Sequence, residues 1–177
     1  MSEPEAVPHG ALQVVLTWCA AVDRSDFEAM WQAMDANLRL TDAQLWVGAN
    51  LEHPYLRGID KDELAADLAQ LDCDHELRPA FEEGRVDVNR AGHLPPWPLD
   101  STAWASHRRI VGEDLDIVIL LDRRQFPEVI EDMTLLSPDV GRTFLVRFSP
   151  SGWLVAGFDY QPPMPGWPPT SGVVTES

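Results

Sequence analysis

Lysine occurs once in this chain, at Lys61, and cysteine and tyrosine only twice each. Basic residues are scarce overall: 13 lysines and arginines face 29 acids, a formal net charge of −16. A protein that grips a phosphate backbone needs a basic face, so nucleic acid is excluded as a partner on Coulombic grounds. The acidity reads first as a solvated surface and second as a surface for a basic protein partner. No apolar run approaches the roughly 18 residues of a membrane span, so no membrane is expected. The opening MSEPEAVPHG lacks both the positive region and the apolar region of a secretory signal. With only Cys19 and Cys73, far apart and without a metal-type spacing, two free thiols are expected. The chain reads as cytoplasmic, with no metal and no cofactor.

Length and apolar content are ordinary. The 177 residues, 45% of them hydrophobic, suffice for one domain with a real core. Residues 1–10 carry prolines and glutamates without periodicity and read as a disordered arm. From Ala11 the pattern turns helical, with Leu12, Val15, Leu16, Cys19 and Val22 on one stripe. Ser25 with Glu28 reads as a capping box for a second helix bearing Phe27, Met30, Trp31, Met34 and Leu38. Thr41 with Gln44 repeats that signal before a short third helix with Leu45, Trp46 and Ala49. Asp60 and Glu63 cap a further helix with Leu64, Leu68 and Leu71. Leu77 and Phe81 suggest one more, ending at Gly84. Residues 60–87 hold ten acids against three bases, the most acidic stretch of the chain.

Strands are expected from Thr102. Thr102–Val111 and Asp114–Asp122 flank Gly112-Glu113, which suits a two-residue hairpin turn. That register sets Arg109 opposite Asp116 and His107 opposite Val118, with Trp104, Ile110, Leu115, Ile117, Ile119 and Leu121 on a core face. The clearest element is RTFLVRFSPSGWLVAGFDY, residues 142–160. Its two apolar runs flank Ser149-Pro150-Ser151-Gly152, where Gly152 is free to take a positive φ. Phe144, Val146, Phe148, Trp153 and Val155 alternate with Leu145, Leu154, Ala156 and Phe158, so both faces are apolar and expected to be covered. Since only one face can meet the helices, the other suggests a homodimer. Residues 161–177, with five prolines, form a proline-rich tail. Gln161–Trp167 is expected to pack on the domain or its mate through Trp167, and Ser171–Ser177 to stay mobile. Helices first and an antiparallel meander afterwards give an α+β domain over residues 11–160, its sheet curled over the helices.

This order resembles the nuclear-transport-factor-2-like superfamily, also called ketosteroid-isomerase-like or SnoaL-like. The likeness rests on the opening helix followed by AAVDRSDFEAMWQAM, on the mid-chain DELAADLAQL, and on the closing SGWLVAGFDY. It implies a cone-shaped α+β barrel, a curved sheet wrapped round N-terminal helices with a pocket inside. The superfamily holds enzymes and binding proteins alike, so it implies no particular reaction. Its isomerases place a tyrosine in the opening helix; Tyr55 and Tyr160 lie elsewhere, and Trp18 stands there instead.

Candidate residues follow from this reading. In such a fold aromatics line the pocket as well as the core, which singles out Trp31, Trp46, Tyr55 and Trp104, with Arg108 for interrupting an apolar face. The ligand expected is small and apolar or aromatic. Asp72-Cys73-Asp74-His75-Glu76 packs metal-type ligands together, yet adjacent helical residues point about 100° apart, so a solvated helix terminus is the plainer reading. His107, beside the Arg109–Asp116 pair, is either an acid/base group or a bystander to a surface charge pair. The competing function is an acidic interaction or immunity-like module without catalysis.

Overall fold

The computed structural model describes residues 9–93, 98, 102–107, 115–122, 124, 141–159 and 161–171, with the side chains of His9, His93, 102–107 and Ser171 left aside. The fold is α+β. Five α-helices are described: α1 (His9–Asp23), α2 (Phe27–Gln32), α3 (Ala36–Asn50), α4 (Lys61–Leu68) and α5 (Arg78–His93), with one 3-10 turn at Pro54–Leu56. The antiparallel strands β1 (Thr102–His107), β2 (Leu115–Asp122), β3 (Gly141–Ser149) and β4 (Gly152–Phe158) follow in the order β1-β2-β3-β4. The sheet is open, ending at β1 and β4. No helix is long and apolar enough to cross a membrane among the described residues.

The first helix forms as its stripe requires. Val15, Trp18, Cys19, Ala21 and Val22 of α1 are fully buried, and α1 packs on β4, β3 and β2. Trp18 meets Phe144 and Phe158 at centroid distances of 5.8 and 5.2 Å. The next boundary differs from expectation. Asp26, not Ser25, caps α2 by accepting from the Ala29 N–H, and Ser25 takes a positive φ of 57°.

The second helix also stops early. At residues 33–35 the chain straightens and pairs with the edge of β4: Val155 donates to the Ala33 carbonyl at 2.7 Å, and Asp35 donates to the Val155 carbonyl at 2.8 Å. Asp35 then caps α3, its Oδ1 accepting from Leu38 at 2.8 Å, while Oδ2 binds Arg147 Nε at 2.9 Å. A long-range edge contact and ion pair thus place the break seven or so residues before Thr41, which lies inside α3. The edge of β4 is covered by the same contact, which removes a pairing hazard. Leu45, expected to be buried, is exposed, and α3 instead buries Leu38, Ala43 and Val47 together with the polar Thr41, Asp42 and Gln44.

Asp60 caps α4 as expected, accepting from the N–H groups of Asp62 and Glu63. Leu64 and Leu68 are buried, but the helix ends at Leu68 and Leu71 is exposed. Arg39 Nε binds the Ala69 carbonyl at 3.0 Å and Arg78 binds the Leu68 and Gln70 carbonyls at 2.8 and 3.0 Å, so two arginines satisfy the carbonyls that a helix end leaves open. The following helix passes through Gly84 and continues to His93.

The β3–β4 hairpin matches its sequence pattern, with Ser149 opposite Gly152, Phe148 opposite Trp153 and Gly152 at φ 115°. A bulge between Leu145 and Val146 brings Phe158 opposite Phe144. The β1–β2 register differs by one residue: His107 lies opposite Ile117 and Trp104 opposite Leu120. Because β2 is buried along almost its whole length, alternation there carries no register information, and a slip of one exchanges the faces. Val118 and Leu120, rather than Ile117, Ile119 and Leu121, join the core against the helices. The second face is buried too, at Ile117, Ile119, Leu121, Leu145 and Ala156. Of the residues that suggested a homodimer, Val155 and Ala156 are buried within the single chain, while Trp153, Leu154 and Phe158 are half-buried. Gly112-Glu113, Arg109 and the acids at 128–132 lie outside the described residues, as does the arm before His9.

The tail forms a small ladder of its own, β5 (Pro163–Met164) with β6 (Thr170–Ser171), contrary to the expectation of none. It folds back where Gly157 lacks a side chain: a Cβ there would sit 2.9 Å from the Gln161 carbonyl oxygen. Gly166 N–H then donates to Gln44 Oε1 at 2.9 Å, Trp167 Nε1 donates to Asp62, and Lys61 Nζ lies 4.5 Å above the indole. Trp167 is thus the anchor, on α3 and α4. Residues 172–177 lie outside the described residues.

Candidate functional site

Helices α3 and α5 bring a polar cluster into the interior. On α3, Asp42 follows Leu38 by four residues and so lies on the buried side. On α5, Phe81, Arg85 and Asn89 repeat at intervals of four, again one face. Arg85 Nη2 binds Asp42 Oδ1 at 2.8 Å and its Nε binds Oδ2 at 3.2 Å, a two-pronged pair. Both are buried, and Asn89 is wholly so. Burial holds the Asp42 carboxyl above the usual carboxylate range, outweighing the attraction and hydrogen bonds of Arg85 and the hydrogen bond of Asn89. The Asn89 amide donates to Met30 Sδ at 3.5 Å. Its Oδ1 and the Thr41 hydroxyl are buried without a hydrogen-bond partner. Such a group forfeits about 1–3 kcal/mol, so a further donor belongs beside Asn89.

The sheet contributes a second polar position. Arg142, the second residue of β3, lies opposite Leu120, which in turn lies opposite Trp104 of β1. Since Leu120 is buried against the helices, Arg142 shares the interior face. Its Nε is buried without a partner. Four other described arginines are paired with carboxylates inside or at the edge of the fold: Arg78 with Glu82, Arg85 with Asp42, Arg124 with Asp122 and Arg147 with Asp35. Arg90 spans the Val22 and Asp23 carbonyls and Ser25.

The residues singled out from sequence are dispersed. Trp31 is wholly buried, stacked on Phe27 at 5.0 Å and edge-on to Phe81 at 5.3 Å, with Nε1 donating to the Gln70 carbonyl. Trp46 is half-buried and meets the same Phe81 at 5.6 Å. Tyr55 is 73% exposed and stacks on His53. Trp31 is enclosed by Phe27 and Phe81, and Tyr55 lies at the surface against His53, so the structure does not bring these two together. Trp104 is placed by register alone, and Arg108 lies outside the described residues.

The remaining constellations resolve simply. His75 Nδ1 accepts from the Leu77 N–H at 3.1 Å, and no group of three metal-type ligands occurs among the described residues. Both cysteines are free; burial pushes the Cys19 thiol up to about 12, so it is unreactive. His107 faces Ile117, not Val118, and its expected neighbour Arg109 is not among the described residues. In the acidic stretch nine of the ten acids are exposed, Glu82 alone being half-buried. Its bases are withdrawn: Arg78 and Arg85 are buried and Lys61 lies on Trp167.

Sequence reasoning missed Asp42, Arg85, Asn89 and Arg142. For the first three the signal was present, a polar residue at the four-residue step of an apolar stripe. Reading Thr41–Gln44 as a helix start disguised Asp42 as a first-turn acid. Compared with known proteins, the chain matches no family model, no curated protein and no solved structure.

Proposed function

We propose that this chain is a small-molecule pocket protein of the cone-shaped, ketosteroid-isomerase-like α+β class, with its ligand held between the helices and the inner face of the sheet. One observation carries the reading: the buried Asp42–Arg85–Asn89 cluster, whose Asn89 Oδ1 has no donor. An apolar core of the same volume would be as stable or more so, and buried acceptors in proteins are normally satisfied. A ligand hydroxyl or amide N–H completes the cluster. An internal water is the alternative donor. No reaction is assigned.

Thermal melts against a library of small alcohols, amides and acids test this. The expected result is a subset that raises the melting temperature by mass action, with the effect abolished in Asn89→Leu. A library without effect on a well-folded wild-type protein would leave water as the guest and overturn the reading.

A second reading is an acidic interaction module, favoured by the inward withdrawal of Arg78 and Arg85 beneath an exposed acidic surface. It predicts salt-sensitive binding of a basic peptide, weakened by charge reversal at Asp67 and Glu83 and indifferent to Asn89→Leu.

A further inference from the structure

We propose that Arg142 receives the carboxylate of a small monoanionic ligand with an apolar body. This rests on the pocket reading and names the ligand class for it. In a chain with 29 acids and 13 bases, an arginine whose buried Nε meets no acceptor among the described residues stands apart. The acid on the same face of the neighbouring strand, Asp122, is already taken: Arg124 binds it through Nε at 2.9 Å and Nη2 at 2.7 Å. Arg142 is half-buried with its Nε enclosed, and its planar fork of donors has the geometry that matches a carboxylate through two parallel hydrogen bonds. Its neighbours on that face, Leu120 and Phe144, are buried and apolar, which suits a hydrocarbon or aromatic body behind the charged head. The chain's net charge of −16 opposes a second negative charge on the ligand. A monocarboxylate is thus preferred over a phosphate.

The test uses the full-length ¹⁵N-labelled chain. The side-chain Nε–H resonance of Arg142 is assigned by its loss in Arg142→Gln, then followed during titration with benzoate, hexanoate, benzamide and inorganic phosphate. The expected result is a saturable shift with at least one carboxylate, about tenfold or more weaker with benzamide and with phosphate. Arg142→Gln is expected to weaken the carboxylate by a similar factor, as followed on backbone amides. The acid–amide contrast is read on the wild-type protein, so it stands even where the variant folds poorly. Benzamide binding as tightly as benzoate, or a carboxylate binding undiminished to Arg142→Gln, would overturn the role of Arg142 and leave the pocket reading standing. Phosphate binding more tightly than both carboxylates would overturn the ligand class. Failure of both carboxylates to bind overturns the proposal, and failure of benzamide as well counts against the pocket itself.

Discussion

The interior holds arginines in two opposite conditions. At the helical end Arg85 is buried and matched, both prongs of its guanidinium on Asp42. At the sheet end Arg142 has a buried Nε and, among the described residues, no carboxylate partner. The first arrangement has a structural account: removing one partner of a buried pair strands the other charge. The second has none, because enclosing an unmatched Nε–H on a half-buried side chain only costs hydration. That difference separates a guanidinium whose partner lies within the fold from one whose Nε–H is left unengaged.

Breaking the matched end gives the largest effect. Arg85→Met leaves Asp42 without its partner in a buried site, and a loss of about 3–5 kcal/mol is expected in urea unfolding. A loss below about 1 kcal/mol would mean that Asp42 reaches water and that the cluster is not interior.

The tail gives a smaller effect and a sharper boundary. Truncation after Pro169 keeps the contacts of Trp167 with Asp62 and Lys61 and of Gly166 with Gln44, and nearly the full melting temperature is expected. Truncation after Tyr160 removes them all and lowers it by several degrees, roughly 4 °C per kcal/mol lost at this size. Equal melting temperatures for the two truncations would mean that Trp167 anchors nothing.

Asp42 itself sharpens the comparison through pH. Its folded pKa is raised, chiefly by burial, so the folded state holds its proton more tightly than the unfolded state does. Stability from this group is then fully present below the unfolded value of about 3.9 and is lost as pH rises through the folded value. Asp42→Asn mimics the protonated form. The variant is expected to gain on wild type as pH rises from about 4, followed by melting temperature across the range. A gap that moves the other way would show that Arg85 holds the carboxylate ionised and that the matched pair is a net stabiliser.

Much of the fold was legible because its signals are local. The α1 stripe, the Asp60 cap and the Ser149–Gly152 turn depend on residues within a few positions of each other, and each stands as its chemistry suggests. What failed to show depends on distance. The break between α2 and α3 is set by Val155 and Arg147, over 100 residues away. The register of β1 on β2 was hidden because β2 is buried on both faces. Of the candidate site, the aromatic residues could not be sorted by sequence for a physical reason: a tryptophan on an apolar stripe looks the same whether Phe81 or a ligand fills the space beside it. Asp42 and Arg85 lie 43 residues apart, and nothing in either helix announces the other. Arg142 obeyed the rule that had singled out Arg108, a charge interrupting an apolar face, but stood at the edge of a hairpin read for its turn.

The unmatched guanidinium is the quantity on which the account turns. Arg142→Met keeps the length of the side chain and its apolar contacts while removing the charge, and its unfolding free energy in urea, without any ligand, measures what Arg142 does for the fold. The account predicts a variant as stable as wild type or more stable, since function-bound charges are commonly held at the expense of stability. A loss of more than about 1 kcal/mol would contradict it, because the guanidinium would then be making an interaction that the fold depends on.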